Sequence, residues 1–405
     1  MVTHRLYYEN SSIRNFSAHV LSCSSVSPFT TPSGPKAAWE VLLNRTAFYP
    51  TSGGQPNDLG RLGEANILDV RDEGEEIVHI VDQAVGVGAI EGCVDWPRRF
   101  DHMQQHTGQH LLSAMFYERY GLPTVSFHLG SEDCTIDLRG PEPSLDVLQG
   151  AQNAANAIIF EDRPVNVRYG TADQLAQQGV RKEVAREGIL RAIEIEAADL
   201  QPCGGTHVKS TGQIGVVLVR RVTKIRQDWR VEFVSGGRAA RSATSDFHLL
   251  RTIGERLSCS MEEALGSIEK SAAERDANHK NLRVALQQLA QDRARLLVAA
   301  ALPGANGVRC MAVLLRDENP ELLLPLATEL TKNEKTIALV IHEGSGQLVF
   351  AQTAGGGKDM AALLKQVLAN VPGKGGGTRD FVRAKLAEPS RSSEALALAA
   401  QTAGS

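Results

Sequence analysis

Two short stretches, far apart in the chain, limit most what this sequence can fold into: Asp101 to Phe116, DHMQQHTGQHLLSAMF, and Gln201 to His207, QPCGGTH. In the first, His106 and His110 have i, i+4 spacing inside an apolar pattern of helical period that includes Met103, Leu111, Ala114 and Met115. Both imidazoles therefore project from one helix face. In the second, Cys203 and His207 repeat that spacing across Gly204 and Gly205, which favour a tight loop able to turn both side chains toward one point. Three imidazoles and a thiolate are borderline-soft donors suited to Zn²⁺, and a zinc shell takes about four. Either pair alone is more often structural or solvated, but the two together point to one metal site. A zincin is excluded because Thr107 stands where its helix needs Glu. A zinc deaminase is excluded because no Cys-x-x-Cys accompanies Cys203.

Composition bounds the remaining choices. With 405 residues, 42% of them hydrophobic, the chain holds roughly two to four domains with ample core. Its formal charge of -4 gives no global attraction for a polyanion, so any contact with nucleic acid has to come from a local patch. The six cysteines are irregularly spaced, form no disulfide framework and fit a reducing compartment. The opening residues MVTHRLYYENSS carry no apolar signal segment, and no apolar run reaches the length of a membrane span. The expectation is a cytoplasmic protein without a membrane partner.

The expected fold is multidomain α+β. Residues 1–95 alternate as short strands separated by turn signals, and a small β-barrel would close them. Within them, Phe48 to Gly60, FYPTSGGQPNDLG, is a rigid turn-rich loop, either an ordinary hairpin loop or one that approaches a ligand. Residues 96–257 read as helices on an antiparallel sheet carrying the metal site. There His128 is either a rim or core histidine or a substrate-facing one. Arg220, Arg221, Lys224, Arg226 and Arg230 form a basic cluster that is either a solvated strand face or a phosphate-contacting rim. Residues 258–303 read as a helical spacer, one long helix or an antiparallel pair, and 304–389 as a separate α/β module. Its runs Gly355 to Lys358 and Gly373 to Gly377 do not have P-loop spacing. Residues 390–405, rich in Ala and Ser, are expected to be disordered.

HTGQH followed by CGGTH, with RRFDHMQQ before the first and DLQP before the second, resembles the editing domain shared by alanyl-tRNA and threonyl-tRNA synthetases. It is similar in particular to the free-standing AlaX-type alanyl-tRNA editing proteins in their long form. The likeness covers residues 5–240 and extends more weakly to 385, where GKGGGTRDF resembles the C-terminal globular domain of alanyl-tRNA synthetase, related to the DHH-associated domain. The resemblance implies a Zn²⁺ cofactor on His106, His110, Cys203 and His207. It further implies a substrate pocket including Thr51, Gly53, Gly54, Gln55 and Thr206, with tRNA contacts at the basic cluster. The implied activity is hydrolysis of the ester joining a wrong amino acid to tRNA: serine on alanine-specific tRNA, and glycine to a lesser extent. Without a synthetase activation domain ahead of the barrel, the expected role is editing in trans, not ligation. The ion could act on the ester or water, or only position the substrate. Two other readings stay open: a non-catalytic tRNA-binding protein with a structural zinc, and a small-ester metallohydrolase. A homodimer contact through 258–405 is a further expectation.

Overall fold

The computed structural model describes residues 2–31, 34–181, 188–304, 307–354 and 357–404, and the chain divides into two compact units, Met1–Thr252 and Ile253–Ser405. Most of the mixed-charge stretch before the second motif, and Gly355 and Gly356, lie outside the described residues. Among those described, no helix is long and apolar enough to cross a membrane.

In the first unit the strands Asn15–Thr31, Gly34–Leu43, Glu76–Val81, Ala65–Glu73, Gly60–Leu62 and Gly88–Val94 pair in that order, and the last returns to the first, closing a barrel. Alternate residues point inward, so Val20, Val41, Leu43, Leu62, Val70 and Ile77 make a dry interior. Closure also removes the free edges that so many short strands would otherwise expose.

Directly after the barrel comes the helix Trp96–Tyr120. Asp95 caps its start by accepting from the Arg98 N–H at 3.2 Å, Pro97 occupies the first turn, and Gly121 ends it in the left-handed conformation at φ 64°. It shares a core with the helix Leu145–Phe160 and a four-stranded antiparallel sheet. The sheet order is Val217–Ile225, Asp228–Ser235, Cys134–Arg139, Thr124–Leu129. A smaller sheet of Val165–Gly170, Leu190–Ile195 and Asp199–Pro202 delivers the second motif.

The barrel loop and the helix are joined by a fully buried ion pair. The Arg99 Nε donates to both Asp58 carboxylate oxygens at 2.9 and 3.0 Å, while the rest of the guanidinium donates to the carbonyls of Ser11 and Ala47. The Asp58 carboxylate also accepts from the Tyr49 N–H at 2.6 Å. Both ends of the Phe48–Gly60 loop are thereby pinned.

The second unit has a five-stranded sheet in the order Arg309–Leu315, Thr336–His342, Gln347–Gln352, Phe381–Leu386, Gly373–Gly377. Its second strand, Thr336–His342, faces two cores: Ile337, Leu339 and Ile341 pack under the helices Met360–Asn370 and Ser392–Gly404, while Ala338 and Val340 pack with the helix Leu323–Leu330 and the long helix Ala264–Ala300. Two expectations are corrected here. The segment 258–303 is not a bare spacer, because Leu286, Ala290 and Ala294 of its single long helix are core residues. The segment 390–405 is not a disordered tail: Ser392–Gly404 is a helix whose Ala395, Leu396, Ala399 and Ala403 are buried. Alanine is the best helix former, and its small side chain lets the helix pack closely, so an Ala-rich run suits a packed helix as well as a linker.

Replacing Asp58 by Asn (D58N) leaves the Arg99 guanidinium buried without a counter-charge and should cost about 3–5 kcal/mol of stability in urea unfolding. The exposed pair Arg61–Glu64 is the control, and E64Q should leave the unfolding midpoint in place. Equal midpoints for the two variants would refute the role given to the buried pair.

Candidate metal centre

The helix supplies His106 and His110 one turn apart, and the Gly-Gly loop brings Cys203 and His207 to meet them. One donor atom from each of the four lies within 4.8 Å of the others. The Cys203 Sγ is 3.5 Å from the His106 Nε2 and 3.3 Å from the His207 Nε2. Around a tetrahedral ion with Zn–S of about 2.3 Å and Zn–N of about 2.0–2.1 Å, sulfur and nitrogen stand about 3.5 Å apart. The donor set and its spacing therefore fit a metal of this class.

The other nitrogen of each imidazole decides which face the ring presents. The His106 Nδ1 donates to the Gln55 Oε1 at 2.9 Å, the His110 Nδ1 to the Asp199 Oδ2 at 3.2 Å and the His207 Nδ1 to the Thr107 Oγ1 at 3.1 Å. The Thr107 hydroxyl proton goes to the Met103 carbonyl at 2.8 Å, so its oxygen can only accept from His207. With all three Nδ1 atoms protonated and held, the Nε2 lone pairs converge. Asp199 in turn pairs with the Arg181 Nε at 2.9 Å.

Electrostatics follow this layout. Burial opposes ionisation of the Cys203 thiol, yet the His106 and His207 imidazoles beside it bring its pKa well below the usual thiol value. Burial lowers the affinity of His110 for a proton, but its bonds to Asp199 and Cys203 prevail and raise its pKa to about 9. Burial and the neighbouring His106 push His207 down to about 3. A divalent cation takes the thiolate and neutral imidazoles, so its binding displaces the proton that His110 holds at neutral pH.

Loop backbone explains the glycines. A Cβ on Gly205 would collide with the His106 ring, and one on Gly108 would collide with the Ser235 hydroxyl where the helix crosses the sheet. The loop is braced by the Arg191 Nη1, which donates to the carbonyls of Cys203 at 2.6 Å and Gly205 at 3.1 Å.

His106, His110 and Cys203 form part of the wall of a cavity of about 330 Å³, together with Tyr49, Ser52, Gly53, Gln109, Thr124 and Arg181 among others. Of the residues expected in the pocket, Gly53 lines it. Gln55 and Thr206 are fully buried and bonded to each other at 2.8 Å; they stand behind the His106 ring and not in the cavity wall. Thr51 is exposed and engaged with Asn57, and Gly54 packs against Phe127. His128 is exposed and lines no part of the cavity. The sequence pattern locates the loop; the turn between Ser52 and Gln55 decides which side chains face inward. Asp199, Gln109 and Arg181 were missed. The only available signal was position, Asp199 opening DLQP and Gln109 preceding His110.

The basic cluster is partly neutralised within the fold. Arg220 pairs with Asp246, and Arg230 forms two bonds with Asp137 at 2.8 and 3.0 Å. Arg221 stands 3.9 Å from Glu232, and Lys224 lies over the Trp229 ring at 5.6 Å. Arg226 turns the hairpin at φ 55°. The strand Val217–Ile225, which carries Arg220, Arg221 and Lys224, is the sheet edge remote from the cavity-lining strand Thr124–Leu129, three spacings or about 14 Å away.

Comparison with known proteins places these features in context. Residues 190–230 match the family described as "Threonyl and Alanyl tRNA synthetase second additional domain". Alanyl-tRNA editing protein AlaX-L of Pyrococcus horikoshii is 31% identical over 398 residues, spanning 94% of each chain. Alanyl-tRNA editing protein Aarsd1 of Mus musculus is 28% identical over 402 residues, spanning 97% of this chain and 96% of that one. The alanine–tRNA ligase of Ignicoccus hospitalis is 28% identical over 391 residues, 93% of this chain and 40% of the ligase.

Two outcomes test this geometry. Loosening any imidazole anchor with Q55A, T107V or D199N should weaken binding of added Zn²⁺ roughly 10- to 100-fold, read by competition with a chromophoric chelator; unchanged affinity would refute the assigned orientations. The bond from Arg230 holds the Asp137 carboxyl below its ordinary value despite partial burial. Its stabilisation is thus present above the unfolded value of roughly 3.9 and lost as pH falls through the lower folded value. D137N should therefore lower the melting temperature at neutral pH, and the gap from wild type should close in acid below that range.

Proposed function

The chain belongs to the family of alanyl-tRNA editing proteins, and from four convergent metal donors beside a cavity of acyl-group size we propose that it is a zinc-dependent aminoacyl-tRNA deacylase. It acts in trans on mischarged alanine-specific tRNA in the cytoplasm, on seryl-tRNA(Ala) first and glycyl-tRNA(Ala) second. The observation that carries this reading is that three of the four donors, His106, His110 and Cys203, line the cavity themselves. A structural zinc is normally sealed by protein on all sides, whereas here the donors share a wall with a space of the size that small ligands occupy.

His106, His110, Cys203 and His207 would hold Zn²⁺, which would polarise the ester carbonyl or activate water if one donor gave up its position, and would otherwise position the substrate. The rest falls to the chain's own groups. Gln55, Asp199 and Thr107 hold the imidazoles against rotation when an acyl group enters. Arg181, anchored on one side by Asp199, gives the cavity wall a cation suited to the phosphate next to a terminal adenosine. Free thiols throughout agree with a reducing compartment, which Cys203 requires as a ligand.

RNA binding has to overcome a net charge of -4. In the first unit Arg221, Lys224 and Arg226 are exposed on the hairpin. In the second, a groove of about 1300 Å³ is lined by Lys280, Arg283, Lys374, Arg383 and Lys385 with one acid, Glu321. Such clusters support binding of a tRNA by local and not global charge.

The deciding experiment incubates the purified full chain with seryl-, glycyl-, alanyl- and threonyl-charged tRNAs under reducing conditions and follows release of the amino acid. Seryl release is expected, with alanyl-tRNA(Ala) spared, and H106A or C203A should abolish it. Binding of tRNA without release, or full activity in the H106A/C203A double variant, would overturn the proposal.

A further inference from the structure

The cavity wall formed by the helix Trp96–Tyr120 and the strand Thr124–Leu129 contains one polar atom left over. Gln109, between the two metal-site histidines and directly before His110, is 4% exposed and lines the cavity. Its Nε2 donates to the Ser113 Oγ at 2.9 Å, and the Ser113 Oγ is bonded in turn to the Thr124 Oγ1 at 2.8 Å. The Gln109 Oε1 is buried and has no partner among the described residues. Buried carbonyl oxygens are nearly always paired, so an unpaired one on a side chain that lines a cavity is a place for a donor that arrives from outside.

Several neighbouring polar groups are already engaged with one another. The Ser126 hydroxyl, in the same wall, donates to the Asp137 Oδ2 at 2.6 Å. Gln55 and Thr206 bond each other behind His106. The Ser113 and Thr124 hydroxyls bond each other, and Ser113 holds the Gln109 amide so that its oxygen cannot swing away without breaking that bond.

We propose that the Gln109 Oε1 accepts the hydrogen bond of the seryl side-chain hydroxyl and is thus the specificity-determining residue of the site; this rests on the deacylase reading above. The three amino acids then separate by what each brings to one atom. Serine donates its hydroxyl to the oxygen. Alanine brings a methyl group and no donor, leaving the carbonyl unpaired in the complex, a mismatch far costlier than a missing methylene. Glycine has no side chain and leaves room for a water to keep the bond, so it is tolerated as a weaker substrate.

The test uses the zinc-loaded full chain, with Gln109→Met as a near-isosteric side chain without an acceptor and Gln109→Glu as one that keeps it. Metal content measured on each variant verifies an intact site. Q109M should reduce kcat/KM for seryl-tRNA(Ala) roughly 10- to 100-fold more than for glycyl-tRNA(Ala), and Q109E should restore most of the seryl preference. Binding of non-hydrolysable amide-linked seryl- and alanyl-adenosine should lose its seryl preference in Q109M by a similar factor. An unchanged seryl-to-glycyl ratio overturns the inference. So does an equal fall for both, which would assign Gln109 to the α-ammonium group they share. If wild type releases no amino acid from any charged tRNA, the deacylase reading fails by itself, and the two adenosine analogues still test Gln109. If Q109M does not retain metal, a Q109E variant that binds the two analogues equally overturns the inference.

Discussion

The metal centre depends on an interaction that never touches it, the buried ion pair between Arg99 and Asp58. Arg99 lies on the helix that carries His106 and His110, and Asp58 on the barrel loop that carries Gln55, so the pair sets the loop against the helix. Only with that docking does the Gln55 amide reach the His106 Nδ1. Buried ion pairs seldom add much net stability, because desolvating both charges offsets most of their attraction. What this one supplies is uniqueness: an arrangement that separates the two strands a buried charge, so alternatives to the native docking are strongly disfavoured.

A second chain of charge runs from Arg181 through Asp199 to His110. A carboxylate between a guanidinium and an imidazole keeps its own charge and strengthens the lone pair on the far side of the ring. Beside it Cys203 and His207 do not behave alike. Cys203 is held as the thiolate, whereas His207 is kept neutral by burial and by its neighbours. Cys203 and His207 are therefore close to the protonation state a divalent ion needs before any ion arrives, whereas His110 has a proton to give up.

How much of this was legible in the sequence follows from whether the information was local. The His106/His110 pair is set by helical period, and the Cys203/His207 pair by a short loop, so both could be read from a few neighbouring residues. Strand alternation in the first residues likewise reports burial without reference to partners. Side-chain direction in the Gly-rich loop was not legible, because the turn at Ser52–Gln55 sends Gln55 under the imidazole and Thr51 into solvent. Nor was the fate of the basic cluster: the partners of Arg220 and Arg230, Asp246 on the helix Gly236–Leu257 and Asp137 on a neighbouring strand, lie on other elements, and only folding brings them close. The C-terminal helix failed for a different reason. Its Ala-rich composition is shared by linkers and by tightly packed helices, and the deciding fact is the apolar surface of the sheet it covers.

The same distinction between local and assembled information explains why selectivity is the least visible property of such a site. Metal donors must be of a few residue types at a few spacings, so they announce themselves. An acceptor for a hydroxyl can be almost any polar side chain, and Gln109 looks like an ordinary surface glutamine between two histidines until the helix is buried. What distinguishes it is an oxygen without a partner among the described residues, while Ser113, itself bonded by Thr124, takes the other half of its amide. An unsatisfied buried oxygen destabilises the empty fold, and a well-packed core without function would fill the space. Its persistence beside the metal donors is explained when a ligand completes the bond, which makes the defect in packing the physical form that discrimination takes.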